Sequence, residues 1–313
     1  MRRRELLRGA LAGAILPALA GERDMAARMT PEEIKRRNDE SSAKALANFA
    51  FERVEVPGER AMATWEQLKS AGRGVPVVIG DDDSFGNLLV PFGPAWPNQR
   101  LAAEIIAAAD GIRHPESLAA YKAREEAKAN EYLTQSFKSR PDAPLPTIIV
   151  TDAGGTRELT REETQAFMLQ ESRSPPLGDW PAQAESASEL SVALDRRSGG
   201  FLRKAHIALI PTDDWTTIPA YLRWGGWNAC PHPEYHVAAL RSWRDRFGAE
   251  LVGLSHDTMN LRVAHPPASR EDALDLAREQ YVYCPDNVDQ GVGTLSAFAA
   301  YLMGNTWWDF WWD

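Results

Sequence analysis

The 313-residue sequence has only two cysteines, Cys230 and Cys284, and neither belongs to a CxxC pair. A multi-disulfide scaffold and the paired-cysteine zinc and redox motifs are thereby excluded. No apolar run approaches the ~18 residues of a spanning helix. Mean hydropathy is −0.39, so no transmembrane body is expected. Positive charge is not in surplus either, since 35 Lys and Arg stand against 44 Asp and Glu for a net charge of −9. An acidic surface repels phosphate backbones, and no basic stripe with interleaved aromatics occurs, so nucleic acid is not an expected partner. Compact catalytic signatures are missing as well. There is no GxSxG elbow, no HExxH and no HxxEH. The glycine turns Asp152-Ala153-Gly154-Gly155 and Gly291-Val292-Gly293-Thr294 lack a phosphate-binding Lys. Asp81-Asp82-Asp83 opens like a calcium loop, but Phe85 and Phe92 stand where ligands belong, which excludes an EF-hand.

The first twenty residues, MRRRELLRGALAGAILPALA, place arginines before a short apolar stretch and end on the small-x-small site Ala18-Leu19-Ala20. This is signal-peptide architecture, and Arg3-Arg4 gives it a twin-arginine character. The expectation is a bacterial export signal over 1–20 and a periplasmic or secreted chain after cleavage near Ala20. Translation from Met25 would instead leave the protein in the cytoplasm.

Two further regions follow: a mixed, mostly helical region, 21–189, and a tryptophan-rich C-terminal domain, 190–313. In the first, Thr30-Pro31-Glu32-Glu33 starts a helix reaching about residue 48, with Thr as cap and Glu three residues on. Helices are predicted over 64–71, 99–109, 115–133 and 160–170, and strands over 75–80 and 147–151. Between 172 and 188 the composition turns to Pro, Ser, Gly and Ala, which marks a loop and the boundary. Beyond it, 190–194 and 202–210 read as a hairpin around Arg196-Arg197-Ser198-Gly199-Gly200. Helices are predicted over 216–222, 233–247, 269–283 and 294–303, and strands over 250–254, 259–264 and 307–313. His236, Leu240, Trp243 and Phe247 share one face of the 233–247 helix. In the last strand Trp308, Phe310 and Trp312 alternate with Asp309 and Asp313. The fold class is α+β: a largely helical N-terminal region and a C-terminal domain with a mainly antiparallel sheet flanked by helices.

Eight tryptophans lie after residue 200, and rings of this size either fill a core or form a platform for a ligand. Trp224 and Trp227 are the platform candidates, because they flank Gly225-Gly226 in a loop; Asn228, His232 and Gln290 join them as ligand-binding candidates. Cys230, His232, His236 and Cys284 carry zinc-compatible donors, but Pro233 places His232 ahead of the helix and His236 sits on the apolar stripe, so no metal is expected. Cys230 and Cys284 form a disulfide or pack as two buried thiols. Ser255-His256-Asp257 sits on a tight turn and cannot relay a proton within itself. Asp257, Asp286, Asp309 and Asp313 gather at one end of the domain on this reading. His236, Asp257 and Asp286 are the catalytic candidates.

Four ordered strings carry a resemblance: IPAYLRWGGWNACP from Ile218, HVAALRSWRDRFGAELVGLSHDTMNLRV from His236, YVYCPDNVDQG from Tyr281, and the terminal FWWD. Together they resemble the bacterial family of domain of unknown function 4253 over about 205–313. The resemblance implies a shared fold, and no activity, cofactor or catalytic residue comes with it. The expected function is therefore a non-catalytic binding or interaction module in an exported protein, its partner an unidentified small molecule or protein and its cofactor unknown. The alternative is a hydrolase-like enzyme using His236 or His232 with Asp257 or Asp286, with or without a metal.

Overall fold

The computed structural model describes residues 49–92, 99–152, 155–169 and 175–312, with single positions between 30 and 40. The expected export signal, Met25, most of the first expected helix and Asp313 lie outside the described residues. At the start of that helix the expected cap is in place, Glu33 N–H donating to Thr30 Oγ1 at 3.2 Å. The elements run β1 (Glu52–Val56), α1 (Ala61–Ala71), β2 (Val75–Gly80), α2 (Asp82–Leu88), α3 (Ala102–Asp110), α4 (Glu116–Ser139), β3 (Ile149–Asp152), β4 (Gly155–Glu158), α5 (Arg161–Met168), β5 (Ala205–Ile210), α6 (Ile218–Tyr221), α7 (Pro233–Phe247), β6 (Ala249–Leu254), β7 (Thr258–Val263), α8 (Arg270–Tyr283), α9 (Leu295–Gly304) and β8 (Trp307–Trp311).

Six strands form one sheet in the order β1-β5-β2-β6-β7-β8. Every pairing in it is antiparallel except β2 with β6. The fold is α+β, with a mostly antiparallel sheet flanked by helices. Strands β1 and β2 precede residue 190, so the sheet draws on both sides of the division expected at 189/190. Pleating sends alternate residues to two cores. Val77, Ile79, Leu251, Leu261, Trp308, Phe310 and Trp312 pack on the face covered by α7, α8 and α9. Val78, Ile207, Leu209, Val252 and Trp307 face Trp65 of α1. Helix α7 begins on Pro233, whose missing N–H costs nothing at the first position. It stops at Gly248 in the left-handed conformation, and buries His236, Leu240 and Trp243 as their spacing implies.

The hairpin expected between 190 and 210 is not formed. Ser191–Ala193 is a single 3-10 turn, and a lone bridge joins Leu194 to Phe201. Both edges of β5 are already taken by β1 and β2, while Val192 N–H donates to Asn260 Oδ1 at 3.0 Å, leaving the first arm no ladder to join. The Pro- and Ser-rich segment before it is a strap held on α9. Carbonyls of Pro176 and Leu177 accept from Leu295 N–H (3.0 Å) and Ser296 N–H (2.8 Å), satisfying two of the donors a helix start leaves open. Asn305 pins the other end, accepting from Ala187 N–H at 2.9 Å and donating to the Glu185 carbonyl at 2.9 Å.

Asn287 covers much of the outer edge of β8, beside the Cys284 thiol, which donates to the Trp311 carbonyl at 3.0 Å. Asn287 Nδ2 donates to the Asp309 carbonyl at 2.7 Å, and its Oδ1 accepts from Trp311 N–H at 3.3 Å, as a neighbouring strand would. Asn287→Ala is expected to cost about 1–3 kcal/mol, the penalty for buried backbone groups left unpaired. Urea denaturation checks this, and hydrogen exchange at Trp311 should quicken in the variant while β5 stays protected.

Candidate functional site

The loop from Trp224 to His236 folds inward. Trp224 is buried, with its indole N–H donating to the Ser255 carbonyl at 2.7 Å. It is a core residue and offers no ring face to a ligand, contrary to the platform expectation. Trp227 is half-buried and meets Trp224 edge-on at 5.2 Å, and Asn228 is exposed at a positive φ of 45°. His236 is fully buried against Trp224, Tyr283 and Trp312. Its Nε2 lies 3.4 Å from Cys230 Sγ and its Nδ1 2.5 Å from the Tyr283 hydroxyl, so both ring nitrogens are engaged inside the core. Burial holds this imidazole well below its ordinary range, and it is neutral at physiological pH.

Cys230 and Cys284 are both free and buried, so the disulfide alternative is not realised. Burial pushes the Cys230 thiol up and the Cys284 thiol up to about 12, which keeps both protonated. Among the described residues no three His, Cys, Asp or Glu side chains come together as a metal-binding group.

The remaining candidates fall elsewhere. His232 Nε2 lies 2.9 Å from the hydroxyl of Tyr121 on α4, and Gln290 donates to Asp286 at 3.0 Å on the exposed side of the α8–α9 connection. Asp257 belongs to the β6–β7 turn, where Arg196 grips it through two bonds of 2.9 Å. Burial raises the Asp257 carboxyl, but His256 and Arg196 outweigh it and hold the group below its usual range. Ser255 Oγ donates to Asp257 at 3.0 Å, which is turn chemistry rather than a serine–histidine relay. The eight candidate side chains therefore form separate groups.

The cleft in this end of the molecule has other walls. Its volume is about 460 Å³, and it lies between the strap (Ser186, Ser188), Ser191, Arg196, Tyr301 of α9, and Asp309 and Trp311 of β8. Because β8 sends Trp308, Phe310 and Trp312 to the core, Asp309 and Trp311 point the opposite way. Asp309 Oδ1 accepts from Ser191 Oγ at 2.8 Å and from Asn260 Nδ2, and Oδ2 accepts from the Tyr301 hydroxyl at 3.0 Å. Burial raises this carboxyl to about 6 even though the Ser191 and Tyr301 hydrogen bonds pull it down.

The long helix of the N-terminal region and the turn just before it add groups that the sequence does not announce. Lys122 reaches in from α4 to the Tyr283 carbonyl at 3.4 Å, and burial lowers its amine to about 8. His114 Nε2 lies 3.1 Å from Glu279, which also accepts from Trp243 Nε1 at 2.6 Å and from Arg246 at 2.7 and 2.9 Å. These partners lie more than 100 residues from the C-terminal helices they touch, so no local spacing announces them.

The fold and cleft define an α+β protein with an open recess beside β8, the edge strand of its sheet. Residues 206–313 match the family model described as a domain of unknown function (DUF4253), in agreement with the resemblance in the C-terminal strings. The matched span holds β5 to β8 and α6 to α9; β1 and β2, which complete the sheet, lie before it. No curated protein and no solved structure matches the chain.

Proposed function

We propose that this protein is a non-catalytic binding module whose ligand sits in the cleft between the strap, α9 and β8. One observation carries the reading: Asp309, Tyr301, Ser191 and Trp311 line one open recess of about 460 Å³, within the volume range of small-molecule sites. The enzyme alternative finds no comparable support. Both ring nitrogens of His236 are engaged inside the core, and His232 Nε2 is engaged by Tyr121, so neither histidine faces Asp257 as a base would.

Ser188 is exposed on the rim, so Ser188→Trp should fill the recess without disturbing the fold. A thermal-shift screen of small molecules is expected to give ligands for the wild type whose affinity falls at least tenfold in Ser188→Trp. Hits that bind both proteins equally would move the function away from this cleft. The arginine pair, apolar stretch and Ala18-Leu19-Ala20 support export of the module. A mature mass beginning at Gly21 tests that, and a chain beginning at Met25 would end it.

A further inference from the structure

We infer that the cleft takes a small organic cation, a primary ammonium or a related amine, with Asp309 as its counter-ion and Trp311 and Tyr301 as its aromatic walls. The inference rests on the cleft being the ligand seat and adds the class of ligand.

The charge of Asp309 has no cationic partner among the described residues. Three neutral donors serve the carboxylate, from Ser191, Asn260 and Tyr301. A carboxylate withdrawn from water without a cation is costly, and its raised pKa reports that cost. The one cationic side chain on the cleft wall does not compensate for it. Arg196 is committed to Asp257 through both terminal nitrogens and also donates to Thr258 at 2.5 Å, so its charge is neutralised where it stands. The other titratable group facing Asp309 is Tyr301, which burial keeps protonated and on which the negative charge of Glu185 of the strap also acts. An entering ammonium would meet a carboxylate oxygen, the lone pairs of hydroxyl groups, and the aromatic side chains of Trp311 and Tyr301 that line the cleft. An anion would meet Asp309 instead. The chain's net charge of −9 favours the approach of a cation over that of an anion.

Three probes of similar length separate the possibilities: n-butylammonium, 1-pentanol and pentanoate, each titrated into the full chain while the indole N–H signal of Trp311 is followed by NMR. Butylammonium is expected to shift that signal with at least tenfold higher affinity than pentanol at pH 7.5, and pentanoate to leave it unmoved. Because the ionised carboxyl is the binding form, butylammonium affinity should weaken as pH falls through about 6. In Asp309→Asn the preference for the ammonium over the alcohol should vanish. Wild-type protein gives a second readout that does not depend on the variant folding: the ¹³C carboxyl titration of Asp309 should move to lower pH in the presence of butylammonium. Equal or tighter binding of pentanol or pentanoate, or an Asp309 titration that butylammonium leaves in place, would overturn the cation while keeping the cleft as a seat. Silence of Trp311 toward all three probes and toward every ligand found by screening would overturn both.

Discussion

Glu279→Ala should lower stability by about 1–3 kcal/mol, the range for leaving buried polar partners unsatisfied. Glu279 is nearly closed off from solvent and accepts from Trp243, Arg246 and His114. Removing it leaves the buried indole N–H of Trp243 without its acceptor and removes the polar link between α8 and α7. The consequence extends to the N-terminal region, because His114 lies just before α4 and is otherwise held by ring contacts with Trp243 and Tyr283. Burial raises the Glu279 carboxyl, but the His114, Arg246 and Trp243 contacts outweigh it and hold it below its usual range. Such a group stabilises the fold above its unfolded pKa and loses that contribution as pH falls through the folded one. Urea denaturation at pH 7 checks the magnitude. Glu279→Gln, which keeps an acceptor, should retain part of the loss, and the gap between wild type and Glu279→Gln should narrow in acid. A loss below about 1 kcal/mol, typical of surface ion pairs, would show the network to be solvated.

The second large effect is expected at Gly225. Its φ of +111° is a conformation that other residues rarely adopt, and an added Cβ would stand 2.1 Å from the Pro231 carbonyl and 2.6 Å from His236 Nε2. Neither neighbour can retreat, one being backbone and the other a ring packed in the core. Backbone strain and overpacking together place the cost of Gly225→Ala at about 2–5 kcal/mol. Gly293→Ala supplies the control, since its φ is +84° but nothing lies within 4 Å of the added atom. It should cost only about 1–2 kcal/mol, the strain alone. Thermal denaturation of the two variants side by side decides the matter. Equal losses would mean that the loop beside His236 is looser than its contacts imply.

Much of the fold was legible because it rests on local periodicity. The 233–247 helix announces itself through Pro233, Gly248 and the stripe of His236, Leu240 and Trp243, and the last strand through its alternation. Strand β1 was not, because its sequence, Glu-Arg-Val-Glu-Val, is charged and becomes a strand only by lying against β5. The strap was read as a loop, since Pro, Ser and Gly carry no periodicity and its order comes from carbonyls that cap α9. The cleft was less legible still. Asp309 was noticed as one acid among several, but Ser191 and Asn260 reach it from 118 and 49 residues away. Trp224 and His236 drew attention as chemistry-bearing residues in a glycine-rich loop, and both are core. What placed them there is the inward turn at Gly225 and Gly226, where side chains would collide.

Ligand binding at the Asp309 cleft and ligand binding at the Trp224–His236 loop are separated directly by two indole signals. Trp311 lines the cleft, and Trp227 is the half-buried ring of the loop. On titration of any ligand found by screening, NMR should show the Trp311 indole N–H shifting to saturation while that of Trp227 stays in place. A Trp227 signal that saturates while Trp311 remains unmoved would contradict the assignment.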